Sequence, residues 1–166
     1  MTANRLLLSA AVTVLLLCAS CGSDAATSEP EPALRPNGTA VLRLVNEAGI
    51  GVSLEAEVAD EARERETGLS KRDSLPPDAG MLFVLGRSGA GFWMKDTRIP
   101  LSVAFIAACG KIVHIAHMEP LSLQVHGTPL DHRFGLEVNQ GWFERNGIAV
   151  GDTVKLPPEL RPATCL

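Results

Sequence analysis

From Thr39 onward, apolar and polar residues alternate along the chain, and this period of two constrains the fold more than any other feature. Successive side chains of a β-strand point to opposite faces of a sheet, so the pattern predicts strands with one buried face. It is clearest in residues 51–60, where Val52, Leu54, Ala56 and Val58 fall on one face. Residues 39–45, joined to it through a short polar turn, are its predicted hairpin partner.

Further strands are predicted along the rest of the chain. Residues 81–85 are apolar on both faces, as expected for a central strand that is covered on both sides. The remaining strands are predicted at 101–107, 111–118, 134–140 and 152–156. The first two of these are predicted to form a hairpin through a turn at residues 108–110, where Gly110 supplies the glycine. Many short strands with turn residues between them, and no alternation of strands with helices, predict a mainly β fold. We expect a compact antiparallel β-sandwich or barrel-like fold with one or two short helices.

Two short helices are predicted within this β-rich chain. Asp60 is the predicted N-cap of the first helix, and Gly68 is placed to end it. The second is a helical turn within residues 141–146. The folded domain is predicted over residues 39–157.

The N-terminal segment predicts export. Arg5 precedes an almost unbroken apolar stretch at residues 6–18, which is shorter than the roughly 20 residues that a helix needs to cross a bilayer. A charged start, a short apolar stretch and small residues after it are typical of a removable signal peptide. We therefore predict a signal peptide over residues 1–20.

Cys21 is a predicted lipidation site. The small residues before it resemble the lipobox of bacterial lipoproteins, although Cys18 stands where that motif usually has Leu. Residues 21–38 are acidic and rich in Pro and Ser, which is typical of a flexible tether. The protein would then be a membrane-anchored lipoprotein on the periplasmic or extracellular side. The alternative is ordinary signal-peptide cleavage near Ala25 or Ala26.

The composition is that of a globular protein without a net positive charge. Apolar residues make up 46% of the chain and charged residues 20%, so most of the chain can bury a core. The 19 acidic residues outnumber the 15 Lys and Arg residues, which argues against counterion-release binding to nucleic acid. We predict no nucleic-acid partner.

No sequence feature specifically supports a metal site or a nucleotide-binding site. His114 and His117 lie three apart in one predicted strand and point to opposite faces, so they cannot ligate one ion together. The other two histidines, His126 and His132, lie in loop sequence. The Gly-rich residues 86–91 precede predicted strand rather than the helix that a phosphate loop requires, so a hairpin or mobile loop is expected. We predict no cofactor and no catalytic residue.

The two cysteines outside the N-terminal segment are Cys109 and Cys165. In an exported protein an even pair predicts a disulfide rather than a thiol catalyst. The bridge would pin residues 158–166, a Pro-broken tail, to the turn between two strands of the domain.

Polar residues set among aromatic ones form the best candidate site. If the sequence FWMKDT is a strand, its indole, ammonium and hydroxyl groups share one face. A carboxylate on a later strand and a guanidinium after the first helix are positioned to join them. We predict one ligand-binding surface made by Arg72, Trp93, Lys95, Thr97 and Glu137. The alternative is an exposed sheet face with a structural salt bridge.

An ordered set of motifs carries a family resemblance. In chain order the motifs are EARERETGLSKR, GMLFVL, FWMKDTRIPLSVAFI, GKIVHI, FGLEVNQGWF and GIAVGD. Together they resemble the family called domain of unknown function 192, over nearly the whole domain. The resemblance implies a compact β-sandwich with a short helix, and it implies recurrent polar positions at Arg72, Lys95, Thr97 and Glu137, beside Trp93.

Two residues depart from the family pattern. Ser70 stands where the family usually has Met, and Ser102 stands where it usually has Asp. Losing that carboxylate argues against acid–base chemistry at position 102, because Ser carries no charge near neutral pH. The resemblance supplies no established reaction.

The combined features predict a membrane-tethered, extracytoplasmic domain that binds a small ligand, a glycan or a protein partner without chemistry. The alternative is a hydrolytic or metal-dependent enzyme that uses the region of Lys95 and Glu137. A concave pocket holding a strongly shifted pKa would favour a site over a purely structural surface.

Acylation of Cys21 is directly testable. Mass spectrometry of the native N-terminal peptide should find a peptide that begins at Cys21 and carries acyl groups. Several acyl chains anchor a protein stably, whereas one binds reversibly, so the intact protein should also stay with membranes in a salt wash. An unmodified N-terminus at Ala25 or Ala26 would contradict the prediction.

Overall fold

The structure, a computed structural model, describes residues 32–35, 38–86 and 89–165 of the chain. The predicted signal peptide, Cys21 and most of the predicted tether lie outside the described residues. Within the described part of the chain, no helix is long and apolar enough to cross a bilayer.

Eight strands and two short α-helices make up the described part of the chain. The strands are β1 (Ala33–Leu34), β2 (Thr39–Val45), β3 (Gly51–Ala59), β4 (Ala79–Val84), β5 (Leu101–Ile106), β6 (Ile112–Met118), β7 (Phe134–Asn139) and β8 (Thr153–Lys155). The helices are α1 (Ala62–Thr67) and α2 (Trp142–Arg145), and 3-10 turns follow at Pro158–Leu160 and Ala163–Cys165. The prediction of a mainly β fold with two short helices is confirmed.

All eight strands join one mixed sheet in the order β1-β2-β3-β4-β7-β5-β6, with β8 beside β2. Neighbouring strands are antiparallel except β3 and β4, which are parallel. The antiparallel prediction is therefore wrong for this pair. Residues 60–78, which include α1, carry the chain back to the starting end of the sheet, and a parallel pair requires such a crossover. The sheet is not closed into a barrel.

The predicted hairpins are present. β2 pairs with β3 from Thr39 opposite Glu57 to Val45 opposite Gly51. β5 pairs with β6 through a turn that contains Gly110. Gly110 has a φ of 91°, and a Cβ there would lie 2.2 Å from the Val154 carbonyl oxygen. Backbone conformation and close approach thus both require glycine at this turn.

α1 begins one residue later than predicted. Its N-cap is Glu61 rather than Asp60. The Glu64 carboxylate accepts hydrogen bonds from the backbone N–H groups of Asp60 and Glu61, at 3.2 and 3.1 Å. These bonds satisfy donors that the first turn leaves unpaired. Gly68 ends the helix with a φ of 50°, as predicted.

β7 lies between β4 and β5, and its two faces meet two different apolar cores. Phe134, Leu136 and Val138 belong to the first core, which also buries Trp142 of α2. The opposite face of β7 meets the second core, which includes Met81, Phe83, Phe92, Met94, Leu101, Val103 and Phe105. Glu137 lies on this second face because side chains alternate along a strand.

Gly135 lets the second core approach β7 closely. A Cβ at this position would lie 2.2 Å from Cζ of Phe92, so the aromatic ring packs directly on the strand backbone. The same ring makes edge-to-face contacts with Phe83 and Phe105, with centroids 5.1 and 5.5 Å apart. The Phe92 ring is thereby held over Gly135, which lies two residues before Glu137 on the same face of β7.

A disulfide joins Cys109, in the turn between β5 and β6, to Cys165 near the end of the chain. This is the pair that the sequence predicts. The two Cα atoms lie 5.3 Å apart, and the bridge spans a sequence separation of 56 residues. It ties the 3-10 turns of the tail to the sheet.

Removing the disulfide should lower the free energy of unfolding by about 4 kcal/mol, because the crosslink restricts the unfolded chain. We expect this in urea unfolding of the double variant Cys109→Ser with Cys165→Ser, and reduction of the unaltered protein should reproduce it. Two reactive thiols in the denatured but unreduced protein would contradict the bridge.

Candidate functional site

Glu137 is a carboxyl group enclosed at the centre of the sheet. Its neighbours across the ladder are Met81 on β4 and Val103 on β5, both apolar. Only 5% of the residue is exposed to solvent. Among the described residues, no hydrogen bond or ion pair reaches its carboxyl oxygens. A carboxyl group in apolar surroundings with no protein partner requires an explanation, and the space that it borders supplies one.

Burial raises the pKa of the Glu137 carboxyl to about 8, because the charged form loses its hydration. At neutral pH the group is therefore mostly protonated. A protonated carboxyl has one O–H donor and still accepts at its other oxygen. Glu137 thus acts near pH 7 as a neutral hydrogen-bonding group.

Glu137 lines a cavity of about 510 Å³ between the end of α1, β4 and the described residues of the segment 85–97, which are 85–86 and 89–97. Its apolar walls include Leu69, Phe83, Leu85 and Phe92. Its polar and aromatic side chains include Arg65, Glu66, Trp93, Lys95 and Thr97. The volume is within the range of small-molecule sites.

Four of the five predicted site residues line this one cavity: Trp93, Lys95, Thr97 and Glu137. Trp93 is half exposed, whereas Thr97 is only 5% exposed. The Lys95 ammonium lies 5.3 Å from the centroid of the Trp93 ring, which is a cation–π contact. The Thr97 hydroxyl makes a long contact of 3.4 Å to the Lys95 carbonyl oxygen.

The prediction that the sequence FWMKDT forms a strand is wrong. Phe92 forms an isolated bridge with His126, and a turn follows. In this turn the Thr97 N–H donates to the Met94 carbonyl at 3.0 Å, and Asp96 has a φ of 58°. The side chains of Trp93, Lys95 and Thr97 therefore reach one cavity through a turn and not through strand alternation.

Arg72 does not line the Glu137 cavity. Its guanidinium makes two hydrogen bonds to the Glu57 carboxylate, one of them at 2.7 Å. This bidentate contact lowers the pKa of Glu57 below its usual value. The structure thus gives Arg72 the structural salt bridge that the sequence left open as an alternative, with Glu57 as its partner.

The sequence did not single out two charged residues that line the cavity, Arg65 and Glu66 of α1. The Arg65 guanidinium also donates to the backbone carbonyls of Asp60 and Val84, and so links α1 to β4. The alternation of charges in the helix sequence indicates a solvated helix, and only the packing of α1 beside β4 reveals the cavity.

The four histidines do not converge. His132 is fully buried, and its two ring nitrogens lie 2.8 and 3.0 Å from the carbonyls of Leu130 and Ala90. His114 packs against Phe105, with ring centroids 5.6 Å apart. Within residues 32–35, 38–86 and 89–165, no group of three His, Cys, Asp or Glu side chains is placed to hold a metal ion.

Ser102, the departure from the family pattern, lies on the face of the sheet opposite Glu137. Its hydroxyl oxygen lies 2.9 Å from Nδ1 of His117 and accepts a hydrogen bond from the Gly141 N–H at 3.1 Å. His117 in turn contacts the Glu144 carboxylate at 3.1 Å. Ser102 has no exposed surface, so this chain of contacts positions α2 rather than presenting a nucleophile.

Replacing Glu137 by Gln should change how stability depends on pH. Between about pH 4.5 and 8 the unfolded carboxyl loses its proton while the folded one keeps it, so stability falls as pH rises through this window. The full effect is about 5 kcal/mol. Chemical unfolding should show this fall in the unaltered protein and not in Glu137→Gln.

The matched control is Glu159→Gln, an exposed carboxylate in the tail, which should keep the slope of the unaltered protein. Equal slopes in the unaltered protein and in Glu137→Gln would show that Glu137 ionises normally in the folded state.

Comparisons with known proteins identify a family. A search of curated proteins finds no match. A solved structure from Sinorhizobium meliloti 1021, described as a candidate transcription regulator, is 33% identical with a TM-score of 0.68, covering 76% of this chain and 95% of that one. A protein of unknown function from Novosphingobium aromaticivorans DSM 12444 is 28% identical with a TM-score of 0.67, covering 75% of this chain and 92% of that one.

The sequence model of the DUF192 family, whose description is "Uncharacterized ACR", matches residues 43–156. This range contains every side chain of the Glu137 cavity, and it confirms the family resemblance of the motifs. Because the match spans well over half of the length of this chain, the chain belongs to the DUF192 family.

Proposed function

We propose that this domain binds a small organic ligand in the Glu137 cavity. The observation that carries the proposal is the buried carboxyl without a protein partner at the wall of a cavity of about 510 Å³. A carboxyl group at a cavity wall that no protein group bonds is available to hydrogen-bond a ligand. Glu137 has no hydrogen-bond or ion-pair partner within residues 32–35, 38–86 and 89–165, whereas Arg72 and Glu57 satisfy each other.

The other predicted residues of the cavity supply complementary contacts. Trp93 offers a flat aromatic surface that is half exposed and therefore accessible to a ligand. Lys95 lies beside that ring and carries a positive charge. Thr97, which is nearly buried, adds a hydroxyl group within the same cavity. A ligand with an apolar body and one polar end would use all of these groups.

We further propose that binding takes place outside the cytoplasm, at a membrane surface. The support is the sequence of residues 1–38, which has the pattern of a signal peptide, an acylated Cys21 and a flexible tether. The family match begins at residue 43, after this segment. A tether of this kind would hold the cavity near the membrane and leave its mouth free.

An enzymatic role is the second candidate, and one observation favours it. A carboxyl with a pKa near 8 in a cleft has the protonation behaviour of a general acid or base that works near neutral pH. The binding role is preferred because, in the described part of the chain, no side-chain base is hydrogen-bonded to the Thr97 hydroxyl or the Lys95 amine, the two nucleophile types in the cavity. Turnover of a bound compound that stops in Glu137→Gln would favour the enzyme.

A thermal-shift screen on the whole chain tests the binding function. The library should contain organic acids, amines, amino acids and sugars. A ligand at 100 times its Kd adds about 2.7 kcal/mol to the stability of the protein. We expect at least one compound class to stabilise the unaltered protein and to lose this effect in Trp93→Ala and Lys95→Ala.

The control is Lys111→Ala, which removes an exposed charge that does not line the cavity and should leave the shift unchanged. If the cavity variants fold and keep the same shift as the unaltered protein, the ligand binds elsewhere and the site assignment is wrong.

A further inference from the structure

We propose that the ligand of this cavity is an organic carboxylate, whose anionic group is bound by Glu137, Thr97 and Lys95. The inference rests on the proposed binding function and specifies the ligand class. Three observations support it: the charges that line the cavity, the hydrogen-bonding groups available inside it, and the apolar character of its remaining walls.

The charged side chains around the cavity favour an anion. α1 contributes Arg65 and Glu66, and the segment 85–97 contributes Lys95. The neighbours of Glu137 on β4 and β5 are Met81 and Val103, which carry no charge. With Glu137 protonated, the lining residues that the structure describes carry two positive charges and one negative charge, so an entering carboxylate meets a net attraction.

The groups without a strong protein partner are hydrogen-bond donors. Protonated Glu137 has an O–H to donate and no partner among the described residues. Thr97 makes only a long contact of 3.4 Å, so its hydroxyl is available to a ligand. The Lys95 ammonium has three N–H donors and no acceptor. A carboxylate accepts at both oxygens, and hydrogen bonds to a charged group are stronger than neutral ones.

A cationic ligand fits the same surroundings less well. Its charge would enter beside Arg65 and Lys95, and the Trp93 face that an ammonium would use is already contacted by Lys95 at 5.3 Å. Glu137 would also have to lose its proton in a buried position. A cation therefore faces a net repulsion and a competitor, whereas a carboxylate faces a net attraction despite Glu66.

The rest of the cavity wall indicates the body of the ligand. Leu69, Phe83, Leu85 and Phe92 are apolar and line the same space as Glu137. Burial of apolar surface stabilises a complex because it removes that surface from water. An aromatic or aliphatic hydrocarbon body with one carboxylate would match both kinds of wall.

Three probes of nearly equal shape test the charge preference: benzoate, benzamide and benzylamine. Each is titrated into the whole chain at about pH 6 and about pH 9, on either side of the Glu137 pKa. Amide and methyl NMR signals of cavity residues report the binding site and the Kd. We expect benzoate to bind more tightly than benzamide, and benzylamine not to bind in the cavity.

The affinity for benzoate should fall about tenfold between these pH values, because only the protonated form of Glu137 donates to the carboxylate. Glu137→Gln supplies an N–H donor at the same position at every pH. This variant should keep the benzoate affinity seen at low pH and lose the pH dependence. Lys95→Met should weaken benzoate binding at both pH values, and the control Lys111→Met should not.

The outcomes separate this inference from the proposed function. Cavity binding of benzylamine that strengthens as pH rises would overturn the carboxylate assignment and leave the binding function standing. Equal pH dependence of benzoate binding in the unaltered protein and in Glu137→Gln would overturn the role of the Glu137 proton. No cavity binding by any probe, together with no cavity-dependent hit in the thermal-shift library, would reject the binding function itself.

Discussion

The enclosure of the Glu137 carboxyl between apolar neighbours is the constraint on which the site depends. β7 lies inside the sheet, so each of its faces must enter a core, and Met81 and Val103 flank Glu137 in the second one. A charged carboxylate there would lose hydration without gaining a counter-ion, so the group keeps its proton and its pKa rises. An interior strand of the sheet thus carries a carboxyl group that no hydrogen bond or ion pair reaches within the described residues.

The mouth of the cavity is anchored in the same core. Phe92 packs on the bare backbone of Gly135 and contacts two further aromatic rings. The next residues along the chain, Trp93 and Lys95, reach solvent directly from this anchored position. Close packing transmits small changes in volume, so a side chain at Gly135 would displace the Trp93 segment as well as the core. Folding and ligand recognition therefore share this contact.

Two groups of polar side chains look like functional sites but stabilise the fold instead. Arg72 is engaged by Glu57, and the contact is bidentate and outside the Glu137 cavity. The Ser102, His117 and Glu144 side chains follow one another as in a hydrolase, but Ser102 is fully buried and also accepts from the Gly141 backbone. Ser102, the residue that differs from the family pattern, therefore takes part in the contacts that hold α2. It does not affect the polar groups around Glu137.

Much of this protein follows from the sequence by itself: the family, the mainly β class, both hairpins and four of the cavity residues. Period-two alternation and glycine turns are local signals, and a local signal suffices to place an element and its buried face. Alternation does not say which strand lies beside which, so the parallel pair of β3 and β4 was missed. The turn after Phe92, the pairing of Arg72 with Glu57 and the raised pKa of Glu137 were decided only by tertiary structure. Each depends on residues far apart in the chain, because desolvation and ion pairing are set by what surrounds a group after folding.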